Sequence, residues 1–295
     1  MKKLAAFASF TTFFGFVLIV AGGLVTSHQA GLSVPDWPLS YGQWMPPMIG
    51  KIFWEHGHRM IASFVGLLTV IMCVWTHCTS GLSSRLKSFS RILVELVILQ
   101  GVFGGLTVLY NLPQAVSMIH ASLGQVFLSS LCLFAYSLHW EMEPGVFSFP
   151  AEKTPELSKA FRIARATAIV FLIQLLLGAA TRHVRHMHVA WMHTGFAMIV
   201  VVHVILVFLR VSHLQLENRA PFKVVLFLLF GIMFQVMLGA GSLGITQFLA
   251  RTGQPSTAQL WFTTFHQSLG AVLLASILLL TLMLHKRVQA LSKAC

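Results

Sequence analysis

Residues 54–77 read WEHGHRMIASFVGLLTVIMCVWTH, and this stretch decides the fold. After Arg59 it contains no Asp, Glu, Lys or Arg. The apolar run at residues 55–77 is long enough to cross the roughly 30 Å hydrocarbon core of a bilayer as one helix. The stretch therefore predicts a transmembrane helix that carries a carboxylate and histidines near one end.

Further apolar runs of similar length follow the same pattern along the chain. They lie at residues 4–26, 90–110, 116–139, 162–181, 188–210, 222–245 and 260–285. Together with residues 55–77 they predict eight transmembrane helices. The expected fold class is an all-α polytopic membrane protein.

The composition agrees with this class and excludes others. Hydrophobic residues make up 56% of the 295 residues, charged residues make up only 9%, and the mean hydropathy is +0.79. A soluble domain carries roughly 25% charged residues, so this chain has too little polar surface to cover a globule in water. A disordered chain, a secreted disulfide scaffold and a nucleic-acid-binding domain are excluded on the same grounds.

The basic residues predict the orientation of the helices. One set of segments carries most of them: Lys2, Lys3, Arg85, Lys87, Arg91, Lys153, Lys159, Arg162, Arg165, Arg210, Arg219, Lys223, Lys286, Arg287 and Lys293. The opposite segments carry Lys51, Arg182, Arg185 and Arg251. By the positive-inside rule both termini are expected in the cytoplasm. The net charge of +12 is then a topology signal with some attraction to anionic lipid, and it requires no nucleic acid.

The start of the chain and its cysteines bear on location. The first apolar run has no cleavage site and no transit segment precedes it, so we expect a retained helix in a bacterial inner membrane. None of the four cysteines is predicted on the outer, oxidising side of the membrane, and no structural disulfide is expected; they are Cys73, Cys78, Cys132 and Cys295.

The even-numbered helices share a pattern of histidine, two residues, an apolar residue and a small residue. It occurs as His58-Arg-Met-Ile-Ala62, His120-Ala-Ser-Leu-Gly124, His193-Thr-Gly-Phe-Ala197 and His266-Gln-Ser-Leu-Gly270. The odd-numbered helices carry Gln100 to Gly104-Gly-Leu-Thr107, Gln174 to Gly178-Ala-Ala-Thr181, Gln235 to Gly239-Ala-Gly-Ser242 and the shorter Gly23-Leu-Val-Thr26. Small residues allow close helix packing in lipid. A fourfold helix-pair repeat is therefore predicted.

The larger unit of the repeat is a four-helix bundle. We expect an N-terminal bundle at residues 1–140, a cytoplasmic linker at 141–160 and a C-terminal bundle at 161–295. Internal repeats in membrane proteins commonly place ligands at or between the repeats. Each bundle would carry two histidines near the outer side of the membrane.

Haem gives these histidines a common explanation. Iron in haem takes axial imidazole ligands from opposite faces, and parallel helices of a bundle can supply one each. The natural pairs are His58 with His120 and His193 with His266. A small residue four positions after each histidine would leave room for the porphyrin plane.

Other interpretations of the histidines remain open at this point. Buried histidines can simply form hydrogen bonds between helices. Zinc is disfavoured because no close set of Cys or carboxylate residues accompanies them. An inner set, His77, His139, His213 and His285, fits helix C-termini better than a second haem layer.

Glu55 breaks the repeat, because no other histidine of the set has a carboxylate three residues before it. Residues three apart share a helix face, so the Glu55 carboxylate would lie beside whatever His58 binds. It would be placed for proton transfer. An acidic cap at the start of the helix is the alternative. Arg59 is a candidate for binding a haem propionate, or for extending to the membrane interface.

These features resemble the haem A synthase family. The matching residues are Gly31-Leu-Ser-Val-Pro-Asp-Trp-Pro-Leu-Ser-Tyr-Gly42 in the first outer loop, the Glu-x-x-His-Arg of Glu55, His58 and Arg59, and the histidines of helices 4, 6 and 8. The resemblance covers essentially the whole chain. It implies oxidation of the C8 methyl group of haem O to a formyl group, which gives haem A for terminal oxidases.

The resemblance also implies a role for each residue. His58 and His120, with Arg59, would bind the substrate haem, and Glu55 would be the catalytic carboxylate. His193 and His266 would ligate the iron of a haem B cofactor. Many relatives carry two Cys in the first outer loop, and Val34 and Ser40 stand at those positions here. Any role of a disulfide there is absent or met otherwise.

Expected partners are haem O, the enzyme that makes it, terminal oxidase assembly, membrane lipid and further copies of the chain in a homo-oligomer. Rival functions are a dihaem b-type cytochrome that only relays electrons and a haem carrier or assembly factor. Both haems are predicted on the outer side of the membrane, which argues against electron transfer across it.

Overall fold

The computed structural model describes residues 1–142, 154–184, 186–214, 216, 218–245 and 255–292. Within these residues it contains eight helices: α1 (Lys2–Ser27), α2 (Gly50–Cys78), α3 (Ser84–Leu109), α4 (Gln114–Met142), α5 (Thr154–Val184), α6 (Met187–His213), α7 (Ala220–Gly244) and α8 (Thr257–Ser292). Each helix is long and apolar enough to cross a membrane. The predicted all-α polytopic fold is confirmed, and the chain is a multi-pass membrane protein.

Some predicted features lie outside the described residues. These are most of the linker at 141–160, the basic residues Lys153, Arg185, Arg251 and Lys293, and Cys295. The remaining cysteines, Cys73, Cys78 and Cys132, are free thiols.

Several helices continue beyond their apolar runs. The helix α8 extends to Ser292, past Lys286 and Arg287, because long polar side chains are good helix formers once the helix leaves the hydrocarbon. The helix α2 begins at Gly50, whose φ of 54° suits glycine. This start places Glu55 beyond the first turn of the helix.

The chain forms two compact units. The first contains Met1–Met142 and Leu238–Ala271, and the second contains Glu143–Met237 and Val272–Cys295. The division into bundles at 1–140 and 161–295 stays a prediction.

In the first unit, α1 to α4 close into a bundle. Both α1 and α3 pack against α2 and α4, so each helix has two neighbours. One end of this bundle, where α1 and α3 end and α2 and α4 begin, carries His58 and His120. We call it the histidine end, and we call the opposite end the linker end.

Large apolar side chains fill the linker end. This core comprises Leu4, Ala5, Ala8, Val65, Met72, Leu82, Leu86, Leu93, Phe127, Leu131, Phe134, Ala135 and Leu138. Phe134 is fully buried, and its ring meets that of Phe89 edge to face at 5.6 Å. The packing is close: a Cβ placed on Gly15 would lie 2.9 Å from Cδ1 of Leu131.

Three buried threonines inside the bundle form hydrogen bonds within their own helices. The buried hydroxyls of Thr11, Thr69 and Thr76 each donate to the carbonyl four residues earlier, at 2.7–2.9 Å. A hydroxyl bonded in this way can remain in an apolar environment at little cost.

The second unit is built on the packing of α5 against α6. Within the same unit α7 approaches α8 closely, since a Cβ placed on Gly231 would lie 2.6 Å from Cδ2 of Leu273. In both units many large apolar side chains are exposed, among them Phe13, Leu67, Ile98, Met198 and Phe230. Such a surface suits hydrocarbon rather than water.

Candidate functional site

Each of the four predicted histidines lies against a glycine of the preceding helix. A Cβ placed on that glycine would lie 2.9–3.2 Å from Cε1 of the ring. The pairs are Gly22 with His58, Gly104 with His120, Gly178 with His193 and Gly239 with His266. A larger side chain at any of these glycines would have to displace the imidazole ring. In each helix pair the glycine of the first helix therefore leaves space for the histidine ring of the second.

In α1 the register differs from the predicted pattern by one residue. The sequence pattern placed Gly23 in the equivalent position, but Gly22 receives the His58 ring. Gly23 lies near Thr264 and Gln267 of α8 instead. The end of α1 is joined to the same part of α8 by hydrogen bonds between the hydroxyl of Ser27 and those of Thr263 and Thr264, with oxygen–oxygen distances of 3.1 and 3.0 Å.

His58 and His120 come together at the histidine end of the bundle. The first lies on α2 and the second on α4, and both of these helices pack against α1 and α3. Nδ1 of His58 is buried without a hydrogen-bond partner among the described residues, whereas the His120 imidazole interacts with the backbone of Gln100. An unpartnered buried nitrogen is costly in an apolar environment, and such nitrogens are typical of functional sites rather than of packed cores.

The residues at this end fit a haem with two axial imidazoles. Imidazole nitrogens are suitable ligands for haem iron, and parallel helices supply one from each side. The described residues contain no group of three or more His, Cys, Asp or Glu side chains that could hold a metal ion.

Gly124 has a neighbour that the sequence did not predict. A Cβ placed on Gly124 would lie 2.9 Å from Nε2 of Gln100 and 3.3 Å from Cδ1 of Ile19. The small residue four positions after His120 thus makes room for the Gln100 amide of α3. Oε1 of Gln100 is also buried, without a partner in the described part of the chain.

Glu55 links α2 to the first loop, residues 28–49. Its carboxylate is only 4% exposed. Oε1 accepts a hydrogen bond from Nη2 of Arg59 at 2.7 Å, and Oε2 accepts one from the backbone N–H of Val34 at 2.9 Å. The interpretation of Glu55 as a helix cap is wrong, because α2 starts at Gly50 and has Ile49 at its N-cap.

Arg59 binds the first loop through several backbone oxygens. Nη1 donates to the carbonyls of Asp36 and Leu39 at 2.8 and 2.9 Å, and Nη2 reaches the carbonyl of Val34 at 3.4 Å. The planar guanidinium presents its donors in a fixed fork, which suits several acceptors in one turn of chain. In this structure the guanidinium therefore faces the loop and Glu55.

His56 is a residue that the sequence analysis did not single out. Its Nδ1 is 2.8 Å from Oγ of Ser40, and both side chains are buried. Nη1 of Arg59 also reaches Oγ of Ser40 at 3.4 Å. The signal in the sequence was its position next to Glu55 and two residues before His58, since all three lie at the start of α2.

Val34 and Ser40 of the first loop are thus both attached to α2. Val34 is held by Glu55 and Arg59 through its backbone. Ser40 is held by His56 and Arg59 through its hydroxyl. Hydrogen bonds therefore connect both positions of the loop to α2.

The loop also has internal support around Asp36. The carboxylate of Asp36 accepts hydrogen bonds from the backbone N–H groups of Tyr41 at 2.7 Å and Gly42 at 2.8 Å. These bonds, that of Gly42 first, hold the pKa of Asp36 below its ordinary value. Tyr41 and Gly42 have φ values of 54° and 68°, and the hydroxyl of Tyr41 donates to the carbonyl of Ser33 at 2.6 Å.

His193 lies in the second unit and His266 in the first. The backbone carbonyl of His193 accepts a hydrogen bond from Nε2 of Gln174 at 3.1 Å, so the glutamine of α5 fixes the start of α6. His266 lies beside Gly239 in the first unit.

The inner histidines occupy exposed or partly exposed positions. His77, His139 and His213 are exposed in the last turns of α2, α4 and α6. His285 differs from the prediction: it stacks on Phe161 at 5.1 Å, well before α8 ends. At the linker end of the first bundle the core side chains occupy the interior, where a second haem layer would have to lie.

The chain is similar to proteins of known families. A family model described as cytochrome oxidase assembly protein (COX15-CtaA) matches residues 48–193, which include Glu55, His58, Arg59, His120 and His193. The heme A synthase of Exiguobacterium sibiricum is 26% identical over 258 residues, which are 81% of this chain and 84% of that protein. The chain belongs to the haem A synthase family.

Two further relatives carry the same name. The heme A synthase of Symbiobacterium thermophilum is 30% identical over 159 residues, or 54% of this chain and 50% of that protein. The heme A synthase of Alkalihalophilus pseudofirmus is 24% identical over 202 residues, or 67% of this chain and 64% of that protein. Membership of this family implies that haem is involved in the function of the chain.

Proposed function

We propose that this chain is a haem A synthase, which oxidises the C8 methyl group of haem O to a formyl group. The observation that carries the proposal is the histidine end of the first bundle. There the rings of His58 and His120 lie against glycines, Nδ1 of His58 has no hydrogen-bond partner among the described residues, and Glu55 lies one turn before His58.

The substrate haem would be held by His58 and His120. The two imidazoles supply the axial ligands, while Gly22 and Gly104 set the positions of the rings. With an imidazole on each face of the haem, the iron would be covered. The other side chains of the site would then contact the edge of the porphyrin, where the methyl groups are. Reaction at a peripheral methyl group needs that arrangement, because the methyl must be fixed relative to the residues around it.

Glu55 is the residue that we assign to proton transfer. Conversion of a methyl to a formyl group is a four-electron oxidation that replaces two hydrogens of the methyl carbon by one oxygen, so protons must be carried away from that carbon while an external electron acceptor takes the electrons. A buried carboxylate near the reacting methyl can accept such protons. Arg59 orients this carboxylate at 2.7 Å and anchors the loop above it. The successive oxidations would pass through an alcohol and an aldehyde hydrate, which loses water.

His193 and His266 are the proposed ligands of a haem B cofactor. The support is the sequence repeat and the seat of each ring on a glycine, which matches that of His58 and His120. A haem in this position supplies electron transfer, and the protein contributes its binding and surroundings.

The location follows from the distribution of basic residues. We place the chain in a bacterial inner membrane with both termini in the cytoplasm and the histidine end on the outer side. Haem O would come from the enzyme that makes it, and haem A would pass on to terminal oxidase assembly. A homo-oligomer is compatible with the exposed apolar helix faces.

The test is extraction of the non-covalent haems from the chain expressed with a source of haem O, followed by mass spectrometry. We expect haem A or its hydroxymethyl precursor from the unaltered chain. Glu55→Gln should lower this product by about a hundredfold or more, because general acid–base catalysis contributes factors of that size.

The matched control is Glu95→Gln, which removes an exposed carboxylate of α3. Product formation should not change in this variant. If the chain holds only haem B although haem O is present, it is an electron-relay cytochrome. If haem O is bound and released unaltered, it is a haem carrier. Either result contradicts the proposal.

A further inference from the structure

Two consecutive glycines of α3 receive two different rings. Gly104 receives the imidazole of His120, as described above. Gly105 receives the indole of Trp37 from the first loop: a Cβ placed on Gly105 would lie 2.8 Å from Cδ2 and 3.0 Å from Cε2 and Cε3 of that ring. The indole therefore lies directly against the backbone of α3 at Gly105. The preceding residue, Gly104, contacts the ring of His120, which is a proposed haem ligand.

The backbone on both sides of Trp37 is fixed to α2. Nη1 of Arg59 binds the carbonyl of Asp36 at 2.8 Å and that of Leu39 at 2.9 Å. The Asp36 carboxylate in turn binds the N–H groups of Tyr41 and Gly42. Trp37 thus connects α2 and α3 across the histidine end of the bundle.

The contact is specific to this tryptophan of the loop. Trp37 is 41% exposed, so one face covers α3 while the remainder is open. Trp44, in the same loop, is 83% exposed. A tryptophan that only anchors a protein at the membrane interface needs exposure and no seat in a helix. The contact with Gly105, where no side chain separates the indole from the helix backbone, is not needed for an interfacial anchor.

We propose that Trp37 is a positioning residue that closes the histidine end of the His58 and His120 site, and that Gly105 is the seat it needs. The proposal rests on the proposed function in one respect, the presence of a haem in that site. The ring covers the end of the site toward the loop and keeps water and polar solutes from the bound haem. Exclusion of water strengthens the electrostatic interactions within a site.

The test measures access of a water-soluble reductant to the haem. The purified chain, loaded with haem, is mixed with dithionite, and reduction is followed by optical absorption. His58→Ala identifies the phase that belongs to this site, because that variant lacks the ligand. We expect Trp37→Ala to accelerate this phase severalfold and leave the other phase unchanged.

Gly105→Ala should have the same effect, because the added methyl displaces the ring. Two matched controls exist. Gly101→Ala adds a methyl one turn earlier in α3, where a Cβ meets nothing within 4 Å, and Trp44→Ala removes the other exposed tryptophan of the loop. Neither should alter the reduction rate.

The double variant separates closure from general destabilisation. If Gly105 acts by seating Trp37, the combined Trp37→Ala and Gly105→Ala variant should be no faster than either single variant. Additive effects, or an unchanged rate in Trp37→Ala, would overturn the proposal. The readout needs bound haem of any kind, so it stands even if no haem A is formed and the proposed function fails.

Discussion

The same four helices build two very different interiors at the two ends of the first bundle. At the linker end, Leu4, Met72, Leu131 and Phe134 fill the space with large apolar side chains. At the histidine end, glycines face the interior and the imidazoles of His58 and His120 lie against them. The two ends therefore differ in what their residues suit: the linker end holds the apolar core that stabilises the bundle, and the histidine end has the glycines and histidines that suit a ligand.

The largest effect is expected from filling the histidine end. Gly104→Leu should abolish haem binding by His120, because even a Cβ at this position lies 3.2 Å from the ring. The measurement is the haem content per chain and the absorption spectrum after purification. Gly101→Leu, at an exposed position of the same helix, should retain full haem content. Equal haem content in both variants would show that the glycine at position 104 is not a seat.

A smaller effect is expected from removing one large side chain from the core at the linker end. Phe134→Ala removes a fully buried ring and should lower the free energy of unfolding by about 3 kcal/mol through the cavity it leaves. The haem spectrum of the folded protein should stay unchanged. Phe13→Ala, at an exposed position of α1, is the control and should be nearly neutral. A changed spectrum in Phe134→Ala would mean that the two ends are not separate in function.

The smallest effect concerns the loop over the histidine end and its dependence on pH. The folded-state pKa of Asp36 is lowered, so its stabilisation of the loop is present above the unfolded-state pKa of roughly 3.9. That stabilisation is lost as the pH falls through the folded-state pKa. Hydrogen exchange of residues 36–44, corrected for intrinsic rates, should accelerate at low pH.

In Asp36→Asn this part of the pH dependence should disappear, whereas exchange in the linker-end core should be the same in both proteins. An identical pH profile for the variant and the unaltered chain would remove Asp36 as the cause. Because Asp36 is exposed, we expect only a local change in the loop and no loss of the fold.

The helices and the site histidines could be predicted from the sequence for a physical reason. A membrane span is a local property of about 20 apolar residues, and residues such as His58 and His120 contrast sharply with such a background. The four-residue patterns around them repeat along the chain. Both signals can be read without knowledge of the tertiary structure.

The contacts of the first loop could not be obtained in the same way. The role of His56 in binding Ser40, and that of Arg59 in binding the carbonyls of Asp36 and Leu39, depend on directional hydrogen bonds between distant segments. The choice of Gly22 over Gly23 depends on the rotation of α1 about its axis. Neither property has a periodic signature in the sequence.

The fastening of the first loop has a consequence for how the protein matures. Val34 and Ser40 are held by Glu55, His56 and Arg59 through hydrogen bonds alone. Residues 28–49 contain no cysteine, so thiol oxidation has no part in attaching this loop to α2. Cellular reductants cannot loosen it, so assembly of the histidine end is independent of the redox state of the compartment that the loop faces.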